Sequence, residues 1–297
     1  MISVPHPRRG PDAISPTAHY TGETWVRHGL SHPELRTTEG RIFFDSLRPT
    51  MALSRTLGGP TLEGLLLSRH RIIDALLTDA IADGTVSQVV EVACGMSPRG
   101  WRFATRHGEE LTYVEADLPA MAARKRAALA RMSSLSEHHR VADLDVLRDG
   151  GPASFTELVD GLDPGLGTAI ITEGLTSYLS DEQVEAVWRR FADALHGFPS
   201  GLYLSDLRLA GEGRDPVEQV FNAGLGAFVR GKIYPHFTSE EEAAAALVDA
   251  GFDSALLHRG DLHPAAELSG DAGAALIHVI EGRIGAAASG VEADVAR

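Results

Sequence analysis

Residues 61–82 carry the hydrophobic pattern of an amphipathic helix. Apolar residues recur at intervals of three and four and form one stripe: Leu62, Leu65, Leu66, Ile72, Ile73, Leu76 and Leu77. Arg69 falls inside this stripe, four residues before Ile73. Because an unpaired buried charge is very costly, we expect Arg69 to have an anionic partner. Its planar guanidinium is suited to bidentate binding of a carboxylate.

Downstream of this helix, short apolar runs alternate with helical patterns. The runs show little polar alternation, as expected for strands covered on both sheet faces: Gln88–Ala93, Leu111–Asp117, Thr168–Glu173 and Gly201–Leu207, with His139–Leu144 as a weaker fifth. Two late runs, Asp253–His258 and Ala275–Ile284, can complete the sheet.

Helices are predicted between the strands. They comprise Pro98–His107, Pro119–Met132, a helix capped by Ser180 with Gln183, and another capped by Thr238 with Glu241. This alternation predicts an α/β fold: a doubly wound, Rossmann-like sheet with helices on both faces. In such folds ligands bind outside the carboxyl ends of the strands.

The segment before the first helix mixes aromatic and polar residues without long periodicity. We interpret residues 1–60 as an N-terminal extension or helical lid, residues 61–285 as the main domain, and residues 286–297 as a flexible tail. His19, Tyr20 and Trp25 are candidate contacts between the lid and a bound substrate.

Composition narrows the class of protein. The net charge of −14 disfavours nucleic acid, and the single cysteine, Cys94, cannot form an internal disulfide. The longest apolar runs, such as Leu65–Leu67, are too short to span a bilayer, and the N-terminal residues lack the apolar core of a signal peptide. No His or Cys spacing indicates a metal site. These features predict a cytoplasmic enzyme without a metal.

The most informative stretch is the turn after the first predicted strand. Small residues in Ala93-Cys94-Gly95 would let the backbone approach a ligand closely, and Asp117 ends the next strand about twenty residues later. An acid there can accept both ribose hydroxyls of an adenosine cofactor. The turn lacks the three glycines that seat a dinucleotide pyrophosphate, which favours S-adenosylmethionine (SAM) over NAD.

Several short motifs in this order resemble one family. They are Arg69-His70-Arg71-Ile72-Ile73-Asp74, then Glu91…Gly95…Arg99, Tyr113–Pro119 followed by Lys125, Val141–Leu144, and Thr172–Leu179. Over residues 69–179 the chain resembles the leucine carboxyl methyltransferase family, particularly its bacterial branch similar to the tetracenomycin polyketide O-methyltransferase. The resemblance implies a class I methyltransferase fold and SAM as cofactor.

The resemblance also implies roles for individual residues. Cofactor binding would involve Arg69 at the methionine carboxylate, Glu91 and Gly95 at the loop, Asp117 at the ribose, Asp143 and Leu144 at the adenine, and Glu173 at the methionine ammonium. Ala93 replaces the usual first glycine of the loop, and Ser97-Pro98 replaces a usual Asp-Thr. These departures are expected to weaken binding rather than abolish it.

Structural alternatives stay open for these residues. Arg69 could pair with a structural carboxylate, Asp117 could cap the following helix, and Glu173 could be a strand-end acid without a ligand. Tyr178, just beyond the fourth strand, is a candidate catalytic or substrate-binding residue, or packs at a helix start.

The acceptor is expected to be a small acid. A carboxylate is already ionised at neutral pH, whereas a phenol, with a pKa of about 10, would benefit from a base. The sequence forces no histidine into the site, which favours a methyl ester of a small, polyketide-like acid. The alternatives are a phenol or hydroxyl O-methyltransferase and a SAM-binding protein without transferase activity.

Overall fold

The computed structural model describes residues 16–210, 234, 236–266 and 272–285; the predictions for residues 1–15 and 286–297 lie outside these ranges. Seven strands form one sheet: β1 Gln88–Val92, β2 Thr112–Asp117, β3 His139–Asp143, β4 Thr168–Thr172, β5 Gly201–Leu207, β6 Ser254–Arg259 and β7 His278–Ile284. Their order is β3-β2-β1-β4-β5-β7-β6. Strands β1 to β5 are parallel, and β7 runs antiparallel to both β5 and β6. The predicted parallel α/β sheet is confirmed.

The described helices follow the predicted alternation. They are α1 Pro16–Arg27, α2 Thr38–Thr56, α3 Leu62–Ala82, α4 Arg99–His107, α5 Pro119–Arg131, α6 Phe155–Asp160, α7 Asp181–Leu195 and α8 Glu240–Asp249. The capping box predicted for α7 is present, with Ser180 and Gln183 satisfying each other's backbone N–H groups.

Both faces of the sheet are covered, as the continuous apolar strands predict. Val90 and Val92 point to a core shared with α6, α7 and α8. The neighbouring Val89 points the other way, into a core shared with α3 and α4. Because successive side chains of a strand alternate between faces, one short strand supplies both cores. The doubly wound arrangement leaves the carboxyl ends of β1 to β5 at one shared edge.

Two helix predictions need correction. Ser239, not Thr238, caps α8, and its hydroxyl accepts the N–H of Glu242. Thr238 instead donates to the Glu242 carboxylate through both its backbone N–H and its hydroxyl. Helix α6 is absent from the sequence prediction because six residues are too few to show a helical period.

Within residues 16–60, the described part of the predicted lid, there are two α-helices of 12 and 19 residues joined through a short 3-10 helix. Tyr20 of α1 stacks on Phe44 of α2 with ring centroids 5.4 Å apart, and both join an apolar cluster with Leu62 and Leu65 of α3. Gly40 allows the two lid helices to approach, since a Cβ there would lie 2.4 Å from the His19 carbonyl oxygen. The lid therefore packs on the N-terminal half of α3. No helix in the described ranges is long and apolar enough to cross a membrane.

Candidate functional site

The loop after β1 is wound tightly by two left-handed residues. Ala93 has φ +54° and Gly95 has φ +51°. The Gly95 N–H donates to Asp117 Oδ2 at 2.7 Å, and the Cys94 N–H donates to the Ala116 carbonyl at 3.1 Å. Glycine tolerates this conformation, whereas alanine is strained there. The loop is thus held against the end of β2 at the edge where ligands are expected.

Asp117 keeps acceptor capacity for a ligand. Its Oδ1 accepts the Leu118 N–H at 2.7 Å, and its Oδ2 accepts the Gly95 N–H. A carboxylate has about four lone-pair sites, so two remain for two hydroxyl groups. Burial raises the pKa of Asp117 above its ordinary value, although the two backbone N–H groups oppose the rise. Asp117 therefore fits the ribose role and at the same time orders the loop.

Asp143 and Leu144 lie beside Asp117. Asp117 and Asp143 are register partners at the ends of β2 and β3. Asp143 is exposed and accepts from Arg126 Nη2 at 3.0 Å, whereas Leu144 is buried and donates its N–H to the Asp117 carbonyl at 2.8 Å. The structure thus brings together the three residues implied for the adenosine half of the cofactor.

Arg69 is buried and has two carboxylate partners. Its Nε donates to Glu173 Oε1 at 3.1 Å, and its Nη1 donates to Asp206 Oδ2 at 2.8 Å. Nη2 has no hydrogen-bond partner among the described residues and lies 3.0 Å from where a Cβ on Gly174 would be. The structural pairing considered as the alternative is therefore present. The second N–H of Nη1 and both N–H groups of Nη2 remain for a ligand, so Arg69 has donors for a cofactor carboxylate without giving up either protein partner.

Glu173 is the centre of a buried ionic cluster. Besides Arg69, it binds His70 Nδ1 at 2.9 Å and Arg99 Nη2 at 2.6 Å. Burial alone would raise the pKa of Glu173, but His70, Arg99 and Arg69 outweigh it and hold this pKa well below the usual range. Glu173 is therefore a fixed negative charge at the end of β4. Its contact with a methionine ammonium stays a prediction.

Glu91 lies behind the loop. It is buried, and its two oxygens bind Arg99 Nη1 at 2.7 Å and the Tyr113 hydroxyl at 2.9 Å. Arg99 also donates from Nε to Asp74 Oδ1 at 2.7 Å, so it links α3, β1 and the end of β4. These contacts position the start of α4 below the loop. Direct cofactor binding by Glu91 stays a prediction.

Asp206 and His70 belong to the site but were not assigned roles from the sequence. Asp206 is an acid near the carboxyl end of a buried strand, the same signal that identified Asp117, and that signal could have found it. His70 is next to Arg69 and fully buried. Its partner Glu173 is 103 residues away, so no local pattern marks it.

Helix α1 lies over the loop after β1. A Cβ on Gly22 would be 3.4 Å from Met96 Cβ, and a Cβ on Gly95 would be 4.0 Å from Ala18 Cβ. Ala18 and Gly22 are four residues apart and share one face of the helix. Small side chains on that face bring the lid backbone close to the loop.

His19 and Tyr20, the first two candidate substrate contacts of the lid, have partners within the protein. His19 Nδ1 lies 3.0 Å from the Thr37 hydroxyl, and burial lowers the pKa of His19 to about 4, against the opposing charge of Glu39. Tyr20 is enclosed in the cluster with Phe44, and burial raises its pKa. Substrate contact by His19 and Tyr20 stays a prediction.

The remaining two candidates lie nearer the ionic cluster. The Trp25 ring packs on His70 with centroids 4.7 Å apart. Tyr178 is 36% exposed and close enough to Arg69 to interact with it electrostatically. Tyr178 is thus a partly exposed residue near the ionic cluster, and its catalytic role stays a prediction. Within the described ranges, no group of three or more acidic, His or Cys side chains could hold a metal ion.

Comparison with solved structures shows the same fold in other proteins. A "duf574 family protein" from Streptomyces avermitilis matches with TM-score 0.62 and 13% identity, covering 90% of this chain and 96% of that one. A "putative methyltransferase" from Thermobifida fusca matches with TM-score 0.59 and 15% identity, covering 91% and 94%. At these identities the likeness establishes the fold alone.

Sequence comparison adds the family. Two proteins named "Putative S-adenosyl-L-methionine-dependent methyltransferase" are 35% identical over 114 residues, in Mycolicibacterium gilvum, and 32% identical over 128 residues, in Streptomyces coelicolor. These matches cover 38% and 43% of this chain, and 36% and 44% of the relatives, less than half of their length. A model of the leucine carboxyl methyltransferase family matches residues 37–192, slightly more than half of the chain. The chain therefore belongs to the leucine carboxyl methyltransferase family.

Proposed function

We propose that this protein binds SAM and transfers its methyl group to a carboxylate oxygen of a small organic acid, forming a methyl ester. The observation that carries the proposal is the arrangement of Gly95, Asp117 and Asp143. A left-handed loop is bonded to an acid that keeps two free acceptor sites, and a second acid is in register beside it. The SAM-dependent names of the relatives support the same cofactor.

One group of residues fits the adenosine half of SAM, and a second group fits its methionine half. Asp117 would accept the two ribose hydroxyls, with Asp143 and Leu144 next to the adenine. At the other half, Glu173 would face the methionine ammonium, and the open Nη2 of Arg69 would donate to the carboxylate. SAM supplies an electrophilic methyl group on a sulfonium. The chain's contribution is to align donor and acceptor and to exclude water.

The geometry favours an acceptor that needs no base. His70, the histidine at the ionic cluster, is fully buried, and its ring nitrogens face Glu173 at 2.9 Å and Asp74 at 3.7 Å. It is therefore not open to take a proton from a phenol. A carboxylate acceptor arrives ionised, and the methyl ester forms by direct displacement as the sulfonium becomes a neutral thioether.

Binding is tested first by calorimetry with SAM and with S-adenosylhomocysteine, using NAD as the control ligand. We expect SAM affinity in the micromolar range, roughly −8 kcal/mol. Saturable binding of NAD without binding of SAM would overturn the cofactor assignment.

Transfer is tested with SAM labelled on its methyl group and a small-molecule extract as the source of acceptors. Mild alkali releases labelled methanol from methyl esters but not from methyl ethers. Alkali-labile label that requires the protein supports a carboxylate acceptor, whereas alkali-stable label indicates a phenol or alcohol. Tight SAM binding with no labelled product would indicate a SAM-binding protein without transferase activity.

A further inference from the structure

Trp25 has a buried hydrogen-bond donor that binds none of the described residues. Its side chain belongs to α1 and is 4% exposed, and its indole Nε1–H bonds to no group in the described part of the chain. Tryptophan can only donate through this atom. Because buried polar groups are nearly always paired in folded proteins, an unpaired one calls for a functional or structural explanation.

The unpaired donor lies beside the ionic cluster. The Trp25 ring is 4.7 Å from the His70 ring, and His70 Nδ1 is 2.9 Å from Glu173 Oε2. Glu173 in turn binds Arg69, the residue next to His70 in the chain. Trp25 is therefore separated by a single side chain from the groups proposed to hold the amino-acid end of the cofactor.

The placement of α1 supports the same assignment. Ala18, Gly22 and Trp25 are spaced four and three residues apart and share one helical face. The first two lie over the loop at Gly95 and Met96, and the third lies over His70. One face of α1 thus covers both the cofactor loop and the ionic cluster.

A carboxylate has about four lone-pair sites, more than Arg69 alone can satisfy. The Nε–H of Arg69 and one N–H of its Nη1 are already bound to Glu173 and Asp206, which leaves the second N–H of Nη1 and the two of Nη2. Charged groups removed from water require full hydrogen bonding. Trp25, packed on His70, is a nearby buried side chain whose donor binds no described group.

We propose that Trp25 Nε1–H donates a hydrogen bond to the methionine carboxylate of SAM, beside Arg69 Nη2. Trp25 would then be a cofactor-binding residue supplied by the lid rather than a substrate contact. Nε1 is sealed from solvent in this structure, so the contact requires a small displacement of α1. The proposal rests on the proposed function, since it assumes that SAM occupies this edge of the sheet.

The test compares two ligands on two proteins by calorimetry. The ligands are S-adenosylhomocysteine and its decarboxylated analogue, 5′-deoxy-5′-(3-aminopropylthio)adenosine. The variant Trp25→Phe removes the donor but keeps an aromatic ring on His70. We expect Trp25→Phe to bind S-adenosylhomocysteine about tenfold more weakly, because it loses a hydrogen bond to a charged group. Its affinity for the analogue should fall less than about twofold. Trp101→Phe, at a half-buried tryptophan of α4, is the matched control and should change neither affinity.

The outcomes separate this proposal from the proposed function. If the wild-type protein binds neither ligand, the proposed function fails. If it binds both and Trp25→Phe weakens them equally, or weakens neither, Trp25 serves packing alone and the proposal is overturned.

A second measurement does not depend on the variant folding. In the wild-type protein, the Trp25 indole N–H resonance should move downfield on addition of S-adenosylhomocysteine and stay in place with the decarboxylated analogue. The same shift with both ligands, or no shift with either, would overturn the proposal.

Discussion

The Asp117 carboxylate accepts the Gly95 N–H at 2.7 Å and thereby fixes the loop after β1 to the end of β2. One side chain consequently does two things: it orders the backbone that approaches the cofactor and presents its remaining lone pairs to the ribose. Loss of Asp117 should therefore affect binding more than its single hydrogen bond to the loop would indicate.

Asp117→Ala and Asp143→Ala should each weaken SAM binding by about 1–3 kcal/mol, because each strands polar groups of the cofactor. Both residues are at the sheet edge and contribute little to the apolar core, so the thermal midpoint should stay close to that of the wild type. Calorimetry with SAM and thermal melts measure the two effects. Asp149→Ala, which removes an exposed acid paired with Arg190, is the control and should leave affinity unchanged. Wild-type affinity in both site variants would show that the adenosine half lies elsewhere.

Ala93→Gly should stabilise the protein slightly. Ala93 has φ +54°, a conformation that costs about 1–2 kcal/mol for a residue with a Cβ. Glycine also has greater conformational freedom in the unfolded chain, which offsets part of this stabilisation. The free energy of unfolding should therefore rise by about 1 kcal/mol or less. Urea unfolding measures it. The opposite result is expected for Ala116→Gly, where a buried strand residue loses packing. A destabilised Ala93→Gly variant would mean that the methyl group's packing outweighs the backbone strain.

Much of the fold follows from local pattern. The strands covered on both faces are continuous apolar runs, and their ends are predicted to within a few residues, because burial on both sides removes polar alternation. Helix α1 is different. Its buried residues include Thr21, Glu23 and Thr24, so no apolar stripe marks it. Glu23 is buried because Arg27 and Arg36 bind it, and such pairing is set by tertiary contacts.

The site also has one part that can be predicted from the sequence and one part that cannot. Asp117 and Asp143 end predicted strands, and parallel strands bring such ends together, so their proximity is predictable from the sequence. The ionic cluster is not. Arg99 binds Asp74, Glu91 and Glu173, which lie 25, 8 and 74 residues away in the chain. No periodic pattern in the sequence predicts these pairs. Of the cluster's residues, only Arg69 could be predicted from the sequence to have an anionic partner.

Lys125→Met should strongly destabilise the fold. Lys125 and His139 both pair with Glu115, and all three side chains are buried. Lys125 also donates to the Ser97 carbonyl of the loop. Burial would raise the pKa of Glu115, yet Lys125 and His139 hold it below its ordinary value. Removing one partner of a buried ion pair costs about 3–5 kcal/mol, because the remaining charge is left uncompensated.

Urea unfolding measures the loss caused by Lys125→Met. Adding Glu115→Gln to it removes the stranded charge and should recover part of the stability. Arg126→Met, which breaks the exposed pair with Asp143, is the control and should cost less than about 1 kcal/mol. A Lys125→Met variant as stable as Arg126→Met would contradict the buried pairing.

Arg69→Ala should weaken SAM binding more than Arg71→Ala, by about 2–5 kcal/mol, since it leaves the cofactor carboxylate and Asp206 without a cationic partner. Arg69→Lys keeps the charge but not the planar fork that reaches Glu173 and Asp206 together, and should recover little affinity. Calorimetry gives the affinities, and circular dichroism checks folding. A larger loss of affinity in Arg71→Ala would show that Arg71, and not Arg69, binds the cofactor. Outright unfolding of Arg69→Ala, with Arg69→Lys folded and binding normally, would assign Arg69 to structural pairing alone.

His19 should make the lid sensitive to acid. Burial lowers the pKa of His19 from its ordinary value of 6.5 to about 4 in the folded chain. Between these two pH values the unfolded chain binds a proton at His19 that the folded chain does not, so the free energy of unfolding rises with pH across this window. The contribution is present above about pH 6.5 and is lost as the pH falls toward 4, amounting to at most about 2 kcal/mol between pH 7 and pH 5.

His19→Gln keeps a polar side chain beside Thr37 and should reduce the stability difference between those pH values, measured by urea unfolding. His28→Gln, at an exposed position just after α1, is the matched control. Equal pH dependence in the wild type and His19→Gln would show that the His19 ring is protonated as readily in the folded chain as in the unfolded one.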